Sequence, residues 1–298
     1  MSKILSVIMF LFLWACQNSG NSKKHEVNEG YTIVYPSDTL PVRHTDNPPV
    51  IDGDTGDPAW NKASWYPINQ TWIPYGAEID SSVFYGRYKI LWSEKTNVLY
   101  ILAEITDNVF VGGYQYHPDP ETGEGYPNYD ILEIFIDENK SCERHVFNAI
   151  GEDAEQWGSN AEAAFAYHIT IDAPADGQVI TEKHILDITG ISWSDYMIID
   201  YQDHFPEFAV KRRGIHYTWE MSMKVFDDSY DHEHPEASRV KLHENKIMGF
   251  SVAYCNNDNP DEYPPQRDHF FGSVWVPEEN YNDHWMDASF FGTIILMK

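Results

Sequence analysis

Asp130-Ile131-Leu132-Glu133-Ile134-Phe135-Ile136-Asp137-Glu138-Asn139 carries the plainest structural signal in the chain. It is rich in Ile, Leu and Phe and is closed by Asp, Glu and Asn, a turn cluster, so it reads as a strand over 129–137. Working outward, the same β-rich texture recurs at 87–92, 98–106, 144–150, 165–171, 215–225, 247–254 and 290–297. No apolar period of 3.6 residues persists for three turns, so the pattern predicts an all-β chain. Between these runs lie long Gly/Pro/Asp/Asn segments at 112–128, 256–268 and 277–283. Loops of that length in a compact domain usually carry function or move.

The N-terminus sets the compartment. Lys3 precedes an apolar run over 4–14 that is too short to span a bilayer and matches the core of an export signal. It ends at Leu13-Trp14-Ala15-Cys16, which resembles the lipobox of bacterial lipoproteins and implies acylation of Cys16. Residues 1–16 are therefore expected to be a signal peptide and 17–45 a tether, polar at its start. Residues 46–298 form one domain of a size that single all-β domains reach. Gln17 fits onward sorting to an outer membrane, with attachment through the lipid anchor only.

The chain is 42% hydrophobic and 15% aromatic, enough for a real core. Its formal charge is −27, offset by no basic tract longer than Lys211-Arg212-Arg213. Such a surface repels phosphate, which argues against nucleic acid and against strongly anionic polysaccharide; a neutral sugar is the easier ligand. Apart from Cys16, the cysteines are Cys142 and Cys255, and sequence leaves open whether they are bridged.

Six blocks in order resemble one family. Ile51-Asp52-Gly53-Asp54 with Asp57 and Trp60 is similar to the opening IDG…D…W of family 9 carbohydrate-binding modules, with one extra residue in the spacing. Lys89 to Glu94, then Leu99 to Ala103 and Asp107, resembles the K-x-LW-D-E…LY-x-L-A…D segment, with Ser93 where Asp is common. The 130–139 strand resembles the D-x-x-EIFIDEN signature. Tyr217 to Lys224, Gly249 to Val252 with Asn256 to Asp258, and Trp285 to Gly292 are similar to the remaining three blocks. The resemblance implies a β-sandwich, jelly-roll-like with two antiparallel sheets and long irregular loops. It also implies non-catalytic glycan binding, a sugar ring held between aromatic side chains, and structural calcium in some members. A pyranose suits such a site, because its C–H face packs on an aromatic ring while its hydroxyls need fixed donors and acceptors.

Trp60, Trp92 and Trp219 read as core. Trp285 follows an Asn/Asp-rich loop and matches the family's second stacking tryptophan. Where the first would stand the chain has Pro127, which leaves Tyr126 or Tyr129 as the replacement. Glu133 matches a ligand position, His145 and Asn148 fall where the family places polar contacts on the following strand, and Arg267 is a rim candidate. No cofactor is required, but Asp137 and Asn139, or the Asn256-Asn257-Asp258 run, offer oxygens for calcium; the alternative is that they are Asx turns closing hairpins. The Asp231-His232-Glu233-His234 run lacks metal-site spacing and reads as an acidic loop. Two rival readings remain. A glycoside hydrolase needs two carboxylates flanking a cleft, and a haem-binding electron-transfer domain would draw on Met221 or Met223. The expected partners are a carbohydrate ligand and glycan-uptake or glycosidase proteins of the envelope.

Overall fold

The computed structural model describes residues 33–114, 128–142, 164–181, 185–189, 204, 207–230, 233–284 and 287–298. Its strands are β1 (Thr39–His44), β2 (Tyr66–Ile68), β3 (Gln70–Ile73), β4 (Phe84–Ser93), β5 (Val98–Asp107), β6 (Ile131–Asp137) and β7 (Ala164–Thr170), followed by β8 (Val179–Ile180), β9 (Ile185–Thr189), β10 (Glu207–Arg213), β11 (His216–Met223), β12 (Ile247–Asn256), β13 (His269–Gly272) and β14 (Gly292–Met297). Apart from strands, the named elements among the described residues are short 3₁₀ turns.

Eleven strands hydrogen-bond along one path, β8-β10-β11-β5-β4-β1-β14-β12-β6-β7-β9, while β2 pairs with β4 and β13 pairs with β12 and β3 off it. Pairing is antiparallel except at β1, which runs parallel to both β14 and β4 and so joins the two halves. The halves face each other across a shared core: Trp92, Leu99, Ile101 and Trp219 from β4, β5 and β11 belong to one buried cluster with Ile134, Phe165, Tyr167, Val252 and Tyr254 from β6, β7 and β12. The architecture is thus the all-β sandwich expected. Trp60, Trp92 and Trp219 are all core, at 1%, 0% and 0% exposure.

The signature strand explains itself through its two-residue period. Leu132, Ile134 and Ile136 enter the shared core. Ile131 and Phe135 point the other way, into a second cluster with Ala166, Ala253, Cys255, Phe270 and Phe291. Both faces of this half are therefore covered, so β6 is buried along its whole length and reads as an almost unbroken apolar run. Glu133 interrupts the run, an acid on the second face, and Asp137 closes it.

The opening motif has an equally local cause. The buried Glu220 carboxylate of β11 accepts hydrogen bonds from Trp60 Nε1 (2.8 Å), Gly53 N (2.8 Å) and Asp52 N (3.1 Å), tying the 52–60 segment to the sheet. Gly53 sits at φ +77°, and a Cβ there would stand 2.7 Å from Lys211 Cβ, so only glycine fits.

Candidate functional site

The second face of β12, β6 and β7 gathers the chain's chemistry. Glu133 pairs with Ala253 on one side and His168 on the other. Cys255 Sγ donates to Glu133 Oε1 at 3.3 Å, and His168 Nε2 stands 3.9 Å from the same oxygen. Glu133 and His168 are each 2% exposed. Arg267 enters from the loop after β12: Nη1 donates to Cys255 Sγ (3.3 Å), Nη2 to Asn282 Oδ1 (2.9 Å), and the guanidinium lies over the Phe270 ring, 4.7 Å from its centroid. Its backbone N–H reaches Asn128 Oδ1, so three segments meet there. Burial pushes the Cys255 thiol well up, which keeps it protonated and a poor nucleophile. The cluster supplies fixed donors and acceptors beside aromatic rings.

The structure brings together Glu133, Arg267 and Tyr129, whose ring packs against the same apolar cluster. Trp285, Tyr126, His145, Asn148 and Cys16 lie outside the described residues, as does the 144–150 strand expectation. The neighbour that β6 does pair with is β7, Ala164–Thr170, so the polar partner on the adjacent strand is His168. Nothing in local spacing finds it, since the length of the connection between paired strands cannot be read from the strands themselves.

His284 anchors the segment that leads into Trp285. It is fully buried, its Nε2 lies 2.5 Å from Ser251 Oγ, and its ring packs on Trp72 (4.4 Å), Phe135 (4.7 Å) and Phe291 (5.2 Å). Asp287 N donates to Asp283 O at 3.0 Å.

The proposed calcium ligands separate. Asp137 accepts from Cys142 N (3.1 Å) and Asn139 Oδ1 from Ser141 N (2.9 Å), the geometry of a turn ending β6. Asp137 pairs with Gly249, while Asp258 lies beyond the other end of β12, where Ile131 pairs with Cys255. The two places are about 20 Å apart at the strand rise and share no ion. Cys142 and Cys255 are divided in the same way, and Cys255 is a free buried thiol, so the two are not bridged. Met221 and Met223 are packed in the shared core at 0% exposure.

Beside Asp258 the structure presents a carboxyl pair that the sequence did not single out as ligands. Asp107 accepts from Tyr254 OH (2.8 Å) and Val109 N (3.0 Å). Asp130 accepts from Asn257 N (2.9 Å) and from Val111 N. Burial pushes Asp107 up to about 7 and Asp130 well above its ordinary range, each further raised by the other charges nearby. The buried Asn256 side-chain amide and Asp258 Oδ1 find no hydrogen-bond partner among the described residues. No group of three or more His, Cys, Asp or Glu side chains stands at metal-holding distances among those residues.

With this geometry in view, the fold defines a class, a strand-only sandwich with a polar cluster on one covered sheet face. Residues 51–298 match the family model described as carbohydrate family 9 binding domain-like, and the chain belongs to that family. Two solved structures share the fold, both of a family 9 carbohydrate-binding module from Caldicellulosiruptor kristjanssonii. The cellotriose complex is 19% identical with a TM-score of 0.55, covering 87% of this chain and 94% of that one. The glucose complex is 18% identical with a TM-score of 0.53, covering 86% and 95%. A search of curated proteins found no match.

Proposed function

We propose that the domain binds neutral carbohydrate without cleaving it, as part of a lipoprotein that captures glycan at the bacterial envelope for uptake or for neighbouring glycosidases. The observation that carries this reading is the family match over 51–298, together with Glu133, the motif acid, set beside His168, Cys255 and Arg267. The two related modules bind cellotriose and glucose, both neutral sugars, and a chain of net charge −27 favours ligands of that kind. In this reading Trp285 supplies the aromatic platform and Tyr129 or Tyr126 the opposing ring. Glu133 and His168, each 2% exposed, brace Arg267 through Cys255 behind the sugar surface, and His145 and Asn148 are the candidates for direct contacts. Arg267 fixes the rim. Cys16 carries the lipid, which holds the domain at the outer membrane.

A structural calcium ion belongs to the same proposal. Asp107 and Asp130, buried and pushed up, with the Asn256 side-chain oxygen, which is buried and finds no hydrogen-bond partner among the described residues, are the oxygen donors that fit it. Bound there, a divalent cation would supply positive charge that lets the carboxyls ionise inside the fold. Screening soluble protein lacking residues 1–28 against immobilised neutral and acidic polysaccharides tests the main reading. Retention by at least one neutral glycan is expected, and retention by none overturns it.

A further inference from the structure

The loop joining β12 to β13 has a rigid stem and an aromatic tip. Its stem is held by Asp268 N to Asn256 O (2.9 Å), Asp258 N to Asp268 Oδ2 (2.8 Å) and Asn259 Nδ2 to the Asp268 carboxylate (3.0 Å), and Glu262 N closes a turn onto Asn259 O (3.1 Å). Tyr263 at the tip is 76% exposed, the most exposed large apolar side chain among the described residues. Beside it, Asp258, Asn259, Pro260, Asp261 and Glu262 line a surface depression of about 510 Å³. That volume lies within the range of small-ligand sites. The same loop carries Arg267, which touches Cys255 and so abuts the Glu133 face, and which ties to Asn282 of the neighbouring loop, where Tyr281 is 42% exposed.

We propose that this loop is a second sugar subsite, with Tyr263 as an aromatic platform and the polar side chains of the depression as hydroxyl acceptors, extending the Glu133 site along an oligosaccharide. An exposed tyrosine on a pre-ordered backbone meets the C–H face of a ring at little entropic cost. Carboxylates and an amide suit hydroxyl donors and repel acidic sugars, so the ligand class is a neutral oligosaccharide longer than the unit held at Glu133. The inference rests on the glycan-binding reading above and adds length dependence to it.

The test uses the full chain in a detergent without a sugar headgroup, titrated calorimetrically with glucose, xylose and mannose and their linear trimers and hexamers. For the series that binds, the hexamer is expected to bind about tenfold tighter than the trimer, and Tyr263→Ala to remove that gain while leaving the shortest ligand unaffected. Because Tyr263 is so exposed, the variant keeps the wild-type melting temperature. Equal affinity of trimer and hexamer, or a Tyr263→Ala variant that follows wild type at every length, overturns the subsite and leaves the glycan reading standing. Loss of the hexamer gain in Tyr263→Ala with added calcium restoring it would show that the loop holds a cation instead of a sugar, and also overturns it. No binding of any series sinks both.

Discussion

Glu220→Ala removes the acceptor that holds the opening IDG…W motif to the sheet. The wild-type carboxylate serves three N–H groups, two from the backbone of Asp52 and Gly53 and one from the Trp60 indole, at 2.8–3.1 Å. Hydrogen bonds to a charged acceptor contribute about 1.5–3 kcal/mol each, and a buried donor left without a partner costs about 1–3 kcal/mol. The Asp52 bond is only partly buried and counts for less, which places the loss at about 4 kcal/mol. For a domain of this size that is a fall in melting temperature of roughly 10 °C. Urea unfolding at pH 8, followed by tryptophan fluorescence, reads it directly. Glu220→Gln keeps the volume and one acceptor oxygen and should lose about half as much. A Glu220→Ala loss below about 1 kcal/mol would refute the claim that this carboxylate, and not apolar packing of Trp60 alone, fixes the segment.

Three other outcomes follow from the same structure. Gly272→Ala should abolish folding or lower stability by more than about 4 kcal/mol, because the added Cβ would sit 2.0 Å from Trp72 Cζ2; Gly56→Ala, with nothing within 4 Å, should be neutral, and the two are compared by thermal melts. Stability in metal-free buffer should fall as pH rises between about 4 and 7. Burial pushes Asp137 up to about 6 and Glu220 to about 7, so the folded state binds more protons than the unfolded one across that window, and melts at pH 5 and 8 test the sign. Calcium at millimolar concentration should raise the melting temperature of wild type but not of Asp130→Asn; an equal rise in both would contradict the assignment to the Asp107–Asp130 pair.

The legibility of the chain differs sharply between its elements. β6, β7 and β12 declare themselves because they are buried on both faces and their apolar runs are long. β2 and β3, of three and four residues with Pro67 inside the first, carry too little pattern to be seen. β10 hides because its apolar Phe208-Ala209-Val210 runs into Lys211-Arg212-Arg213, which reads as a basic tract. The closing strand begins at Gly292 and not Phe290, since the Asp287 carboxylate accepts from Ser289 N and caps a 3₁₀ turn over Ala288–Phe290. For the candidate site, the motif points to Glu133, and Arg267 stands out only as a rim candidate before Asp268. His168 and the Asp107–Asp130 pair were not, because strand pairing across long connections, not local spacing, puts them beside their partners.

The proposed function puts a neutral sugar against Trp285 beside the Glu133 cluster. Isothermal titration of wild type, Trp285→Ala and Glu133→Gln with the glycan that the polysaccharide screen selects measures it most directly. Wild type should bind saturably and Trp285→Ala should lose at least tenfold in affinity, with Glu133→Gln weakened as well and the Trp285→Ala melting curve unchanged. A Trp285→Ala protein that binds as tightly as wild type would contradict it.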